Sequence, residues 1–175
     1  MLLTSKKTHT DFEFRAVGYE FPEIEDDEYE ANWLLASVRV QSPDGAWEKT
    51  VPCLLTWEGH RLANWLADLA AGQGEVEVEM SFLNSNLFFK VLRREAGEVG
   101  LSVAFADELA PAAKGLGAGE RFEILLVLSV AELRAAAAEW RWEMRLYPMR
   151  AAAAGRCRAH GDKRASCGVC GAEVV

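Results

Sequence analysis

The sequence predicts an α+β fold: a mostly antiparallel sheet with two helices packed on one face, followed by a short Cys/His tail. Three observations indicate this class. Several segments alternate apolar and polar residues, as strands do when one face of an antiparallel sheet is solvated. Two segments carry helical spacing with capping signals. Strands and helices do not alternate regularly along the chain, which argues against a parallel βαβ sheet.

The strand signals follow one another along the chain. Strands are expected at residues 12–21, 32–40, 47–53, 75–82, 87–92, 99–105 and 121–128. Residues 12–21 are expected to form either a pair of strands or one strand bent around Gly18. The turn at residues 42–45, Ser-Pro-Asp-Gly, favours a hairpin between the second and third segments. The clearest alternation is in residues 75–82, where valine, methionine and phenylalanine share one face and glutamate the other.

Each of the two helices has a start signal and a stop signal. The first is expected to begin at Thr56 as its N-cap and to end just before Gly72. The second begins with a capping box, in which Ser129 and Glu132 satisfy each other's end amides. Pro148 is expected to end it, because proline cannot continue a helix.

Charge divides the chain into an acidic body, residues 1–150, and a basic tail, residues 151–175. The 175 residues have a net charge of −8, with five basic and two acidic residues from Arg150 onward. The part before Arg150 therefore holds 14 basic and 25 acidic residues, a net charge of −11. Such a body repels nucleic acid and anionic membranes and favours a basic partner.

The apolar runs and the first residues of the sequence bear on the expected cellular location. No apolar run reaches the roughly 20 residues of a membrane-spanning helix. The first seven residues place their apolar side chains before two lysines and contain no apolar signal core. We therefore expect a cytoplasmic protein that does not bind membranes.

Acidic residues are concentrated in two places. Seven of the eleven residues from 20 to 30 are carboxylates, and three glutamates alternate along the predicted strand at residues 75–82. Most charge runs are merely solvated surface. Two such features, with aromatic residues interleaved in the first, favour a surface that docks a basic protein. The expected partner-binding residues are Glu20, Glu23, Glu25, Asp26, Asp27, Glu28, Tyr29, Glu30, Glu75, Glu77 and Glu79.

Residues suited to catalysis are sparse in the body. It contains no G-x-S-x-G, H-E-x-x-H or phosphate-binding glycine motif. Its histidines are His9 and His60, and its lone cysteine, Cys53, has apolar neighbours typical of a core position. We therefore expect no enzymatic activity from the body.

The tail carries a C-x2-H-x6-C-x2-C pattern formed by Cys157, His160, Cys167 and Cys170. Two chelating pairs of thiolate and imidazole ligands suit one tetrahedral structural zinc ion. The six-residue spacer is shorter than in common zinc fingers, so a disordered basic tail with incidental thiols stays open. So does an alternative function, a metal-dependent enzyme or a zinc-containing regulatory or nucleic-acid-binding protein that acts through this tail.

Several short stretches carry a family resemblance across residues 10–150. They are Tyr19-Glu20-Phe21, Tyr29-Glu30-Ala31-Asn32-Trp33-Leu34, Cys53-Leu54-Leu55-Thr56-Trp57-Glu58, Phe82-Leu83-Asn84-Ser85-Asn86-Leu87-Phe88-Phe89, Phe105-Ala106-Asp107-Glu108 and Tyr147-Pro148-Met149-Arg150. In order and spacing they resemble the WapI-type immunity proteins, which protect bacteria from a wall-associated tRNA-nuclease toxin. The resemblance implies a non-enzymatic cytoplasmic inhibitor that binds a toxin domain. Together with the acidic body, it leads us to expect a basic toxin nuclease domain as the partner. Tyr29 and Trp33 are candidate anchors, although Trp33 also suits a core position.

Overall fold

Two antiparallel sheets of four strands each appear in the computed structural model, which describes residues 1–72, 76–95, 97–117 and 119–150. The first sheet has the order β1 (Leu2–Ser5), β2 (Thr10–Tyr19), β3 (Trp33–Ser42) and β4 (Gly45–Leu55). The second has the order β5 (Glu79–Ser81), β6 (Leu87–Glu95), β7 (Glu98–Phe105) and β8 (Phe122–Ser129). Helix α1 (Thr56–Ala71) connects the sheets, and α2 (Val130–Met144) follows β8. The α+β class is confirmed.

The first sheet shows the alternation and the bend that the sequence indicates. In β2, Phe12, Phe14 and Ala16 are buried, while the residues between them reach solvent to differing degrees. The pairing of β2 with β3 shifts between Ala16 and Gly18, so the expected bend is a β-bulge within one strand. The hairpin from β3 to β4 closes at Gly45, whose φ of 130° suits glycine.

One hydrophobic core joins both sheets and both helices. The Phe12 ring of β2 lies 5.9 Å from Phe89 of β6 and 5.9 Å from Phe105 of β7. Trp140 of α2 stacks on Phe14 at 4.9 Å between ring centroids. Burying one such ring is worth roughly 1.5–3 kcal/mol, so these contacts supply much of the attraction between the layers.

The first turn of α1 differs from the prediction. The N-cap is Leu55, whose amide donates to Oε2 of Glu58 at 2.9 Å. Thr56, predicted as the N-cap, is fully buried inside the helix and donates its hydroxyl to Asn32 Oδ1 at 2.8 Å. The predicted end is confirmed, because Gly72 takes a left-handed φ of 71° immediately after the helix.

Helix α2 begins as predicted and ends earlier. Ser129 accepts the Glu132 amide at 3.2 Å, and the Glu132 carboxylate accepts the Ser129 amide at 2.7 Å. The helix ends at Met144, and a turn bonds the Tyr147 amide to the Met144 carbonyl at 3.1 Å. Pro148 therefore follows the turn and does not itself end the helix.

The two helices approach closely at Gly59. The Trp140 indole donates to the Gly59 carbonyl at 2.8 Å. A Cβ on residue 59 would lie 2.6 Å from Cε of Met144, which is far too close for two carbons. A glycine in the first turn of α1 is therefore explained by contact with α2.

Of the predicted strand at residues 75–82, the structure describes residues 76–82, and only Glu79–Ser81 form a strand. Only Glu79–Ser81 pairs with β6, and one further bond joins the Val91 amide to the Val78 carbonyl at 2.7 Å. The next carbonyl, that of Glu77, accepts the Trp65 indole of α1 at 2.9 Å. The backbone at Glu77 is thus bonded to α1 and not to β6, and Val78 beside it is 62% exposed.

The sequence analysis also missed β1. Leu3 of this strand is fully buried, and the Met1 ammonium donates to the Phe14 carbonyl at 2.9 Å. The same ammonium lies 3.4 Å from a carboxylate oxygen of Glu143 in α2, which is largely buried. These contacts attach the strand to both the first sheet and α2.

Candidate functional site

The acidic segment of residues 20–30 forms the connection between β2 and β3. Its exposed carboxylates are Glu23, Glu25, Asp26, Asp27 and Glu30, and those of Glu20 and Glu28 are partly buried. Burial raises the pKa of Glu20. Among the described residues, no ion pair involves Glu23, Glu25 or Asp26. These three charges therefore face solvent without a counter-charge from the described part of the chain.

Asp27 has a structural role within this segment. Its Oδ1 accepts the amides of Tyr29 at 2.8 Å and Glu30 at 2.7 Å. These bonds form an aspartate turn immediately before the short 3-10 helix Glu30–Asn32. Asp27 thus shapes the loop, which distinguishes it from its exposed neighbours.

Asn32 joins the loop to α1 and to the end of the described chain. Its Oδ1 accepts the Thr56 hydroxyl at 2.8 Å and the Arg150 amide at 2.9 Å. Its Nδ2 donates to the carbonyls of Glu28 at 2.9 Å and Arg150 at 2.7 Å. Because Asn32 is fully buried and all four bonds are made, it fixes the relative position of these three segments.

The Arg150 side chain is seated in the same loop. Its Nη1 donates to the carbonyls of Pro22 at 3.0 Å and Ile24 at 3.4 Å. The guanidinium stacks 3.6 Å from the centroid of the Tyr19 ring. Burial raises the pKa of the Tyr19 hydroxyl, and the Arg150 charge partly offsets that rise. The backbone of the acidic loop therefore already accepts one basic side chain.

Two aromatic side chains border the exposed carboxylates. Tyr29 is 43% exposed, and its ring meets the Trp57 ring edge-on at 5.9 Å. Trp33, the other expected anchor, is only half-buried at the start of β3. We call the region formed by Glu23, Glu25, Asp26, Glu30, Tyr29 and Trp57 the acidic–aromatic surface.

Sequence reasoning missed the part that Trp57 plays in this surface. Its position next to the helix start carries a signal, because it falls outside the buried stripe that contains Leu62 and Leu66. The bonds of Asn32 and Arg150 could not be found in the same way, since 118 positions separate the two residues.

The second acidic row does not extend this surface. Glu77 and Glu79 are exposed, but Glu79 lies 3.7 Å from Arg121, and Glu75 lies outside the described residues. The backbone of Glu77 is bonded to Trp65, eight residues along α1 from Trp57. That separation is about 12 Å along the helix axis. The structure thus places the two acidic features near different parts of α1.

The cysteine and histidine side chains that could take part in catalysis or metal binding are next. Cys53 donates its thiol to Asn86 at 3.5 Å, and burial raises the pKa of that thiol. Burial and then the Arg141 charge lower the pKa of His60. Within the described ranges, no three His, Cys, Asp or Glu side chains group closely enough to hold a metal ion. The proposed zinc ligands Cys157, His160, Cys167 and Cys170 lie outside those ranges.

Comparison with protein families decides what kind of protein this fold and surface belong to. The model of the WapI-like immunity protein family matches residues 1–148. The chain belongs to that family. The matched residues include both sheets and both helices, so the expected WapI-like immunity protein family is confirmed. No curated protein and no solved structure matches the chain.

Four of the stretches that carry the resemblance meet at the acidic–aromatic surface. Residues 19–21 contact 147–150 through the Tyr19 hydroxyl and the Pro148 carbonyl. Residues 29–34 contact 53–58 through Tyr29 on Trp57 and Asn32 on Thr56.

None of the helices in the described ranges is long and apolar enough to cross a membrane.

Proposed function

We propose that this immunity protein binds a basic, RNA-cleaving toxin domain and blocks it, protecting the producing bacterium from within the cytoplasm. The observation that carries the proposal is the family match over residues 1–148. The function needs no catalytic residue of the immunity protein itself, because occupying the toxin's RNA-binding face suffices.

The acidic loop supplies the electrostatic part of this mechanism. Its exposed carboxylates occupy positions on the toxin that RNA phosphates would otherwise take, so toxin binding and RNA binding exclude each other. Glu23, Glu25 and Asp26 suit this role because no ion pair with the described residues neutralises them. Opposite charges also accelerate the diffusional encounter of two proteins.

The aromatic part of the surface supplies affinity. Charge complementarity mainly sets association rate and specificity, whereas buried tyrosine and tryptophan side chains dominate binding energy at many interfaces. Tyr29 and Trp57 lie in contact at the border of the carboxylates. The exposed Leu83 donates its amide to Glu58, the residue that follows Trp57 in the first turn of α1. We propose Tyr29 and Trp57 as the anchor of the complex.

The test compares a variant that lacks three negative charges in the loop with a control variant that lacks three negative charges outside the loop. The loop variant combines Glu23→Gln, Glu25→Gln and Asp26→Asn, and it keeps Asp27 because that side chain accepts the Tyr29 and Glu30 amides within the loop. The control combines Asp44→Asn, Glu48→Gln and Glu95→Gln, whose exposed side chains lie at the hairpin ends away from the loop. Both variants lose three negative charges.

We expect the loop variant to associate on the order of tenfold more slowly with the toxin domain at low salt, with a flatter salt dependence. The toxin domain is taken from the gene upstream of the immunity gene, and association is followed by stopped-flow fluorescence. The control should slow association much less. Equal effects of the two variants would remove the loop from the mechanism.

A further inference from the structure

The basic tail of the chain starts at the acidic–aromatic surface. Residues 151–175 carry four basic side chains, Arg156, Arg158, Lys163 and Arg164, against Asp162 and Glu173. The residue before them, Arg150, is bonded through its backbone to Asn32 in both directions. A segment of net positive charge therefore begins beside the most acidic part of the body.

Arg150 shows how this surface receives a basic side chain. Its guanidinium donates to the carbonyls of Pro22 and Ile24, which are the neighbours of Glu23 in the loop. The Tyr19 ring supplies a stacking face on one side of the guanidinium. One basic side chain is thus already held beside the carboxylates, and the carboxylates of Glu23, Glu25 and Asp26 stay without an ion pair among the described residues.

The tail is long enough to reach the same carboxylates. Arg156 follows Arg150 by six residues, which span at most about 20 Å when extended. Glu23 and Glu25 flank Ile24, whose carbonyl already contacts Arg150. A tether this short holds the tail at a millimolar effective concentration over the surface, so weak contacts suffice for docking.

We propose that residues 151–175 dock on the acidic–aromatic surface of their own chain and compete there with a basic partner. The four basic side chains pair with the loop carboxylates, and the partner displaces the tail when it binds. That the displaced partner is the toxin rests on the proposed function. The docking itself does not depend on that function and is tested without toxin.

The first experiment is zero-length carbodiimide crosslinking of the full chain, followed by tryptic digestion and mass spectrometry. Lys163 is the single lysine of the tail, and the tryptic peptide of residues 16–39 contains all seven loop carboxylates and no other. We expect Lys163 to crosslink to this peptide at low salt and to lose the crosslink in about 1 M salt. Peptide 40–49, which holds Asp44 and Glu48, is the internal control.

The second experiment measures the affinity of a deca-arginine peptide for two variants of equal net charge. One replaces Arg156, Arg158, Lys163 and Arg164 with glutamine. The other replaces the exposed Lys6, Arg94, Arg134 and Arg145 with glutamine. The tail variant should bind deca-arginine more tightly than the control, because the peptide no longer competes with the tail. The affinity should be about twofold higher if the tail covers the surface half of the time, and about tenfold higher if the tail covers it nine-tenths of the time.

Two results would overturn the docking. One is a Lys163 crosslink that is absent or spread equally over peptides 16–39 and 40–49. The other is equal affinity of the two variants for deca-arginine. Neither result would contradict the proposed toxin binding. Conversely, a tail that docks on a chain that does not bind the toxin would contradict the proposed function but not the docking.

Discussion

At the residue scale, Gly59 lies where the two helices approach each other closely, and an added Cβ would meet the end of the Met144 side chain. We expect Gly59→Ala to lower the free energy of unfolding by about 1–2 kcal/mol, because the new methyl group collides with buried Met144. Chemical denaturation measures the loss. In a Met144→Ala background, the same substitution should stabilise the protein by up to about 1 kcal/mol, since alanine favours helix over glycine. Destabilisation of equal size in both backgrounds would contradict the helix-contact explanation.

Glu58 is the buried carboxylate that joins α1 to two neighbouring segments. Its oxygens accept the amides of Leu55 and Leu83, yet burial outweighs these bonds and raises its pKa above the ordinary 4.5. The folded state therefore holds this proton more tightly than the unfolded chain does. Its contribution to stability is complete below pH 4.5 and is lost as pH rises through the raised pKa.

We expect the difference in unfolding free energy between the wild type and Glu58→Gln to shrink as pH rises above 4.5. Glu132→Gln is a control of opposite sign, because bonds from the Ser129 amide and hydroxyl lower the pKa of Glu132. Its difference from the wild type should grow with pH. Urea unfolding from pH 4 to 7 tests both, and a Glu58 difference that grows with pH would show that the amide bonds outweigh burial.

At the element scale, signals confined to a few residues predicted structure correctly. The Ser129 capping box and the Gly72 helix end depend on neighbours within one turn, and both are confirmed. The prediction of a strand at residues 75–82 failed at Glu77, whose carbonyl accepts the Trp65 indole of α1 instead of an amide of β6. Asn32 and Arg150 are beyond sequence reasoning for the same reason, since neither has a local motif that reveals its partner.

The C-x2-H-x6-C-x2-C pattern in the tail is the most specific metal-binding signal in the sequence. We expect Cys157, His160, Cys167 and Cys170 to hold one zinc ion, with Zn–S distances of about 2.3 Å and a Zn–N distance of about 2.0–2.1 Å. Affinity should fall below neutral pH, because protons compete for the thiolates.

Elemental analysis of protein purified without added metal measures this site. Cys157→Ser combined with Cys170→Ser should lose the zinc, whereas Cys53→Ser should retain it, because Cys53 is buried in the core. Zinc-free wild-type protein whose tail thiols all react with a thiol reagent would refute the site.

At the scale of the whole molecule, the proposed binding surface combines the connection between β2 and β3 with the start of α1. The acidic loop was recognisable from composition, because seven of eleven residues carry carboxylates. Its division into exposed charges, the structural Asp27 and the aromatic border of Tyr29 and Trp57 required the tertiary structure. The family match ends at residue 148, close to Arg150, where the acidic body meets the basic tail.

Inhibition of RNA cleavage tests the central claim most directly. The toxin domain from the upstream gene is incubated with tRNA while the immunity protein is titrated against it, and intact tRNA is quantified. We predict that cleavage falls in proportion to added protein and stops at one immunity protein per toxin domain, because binding occludes the RNA-binding face. Undiminished cleavage at a several-fold excess of folded immunity protein would contradict the account.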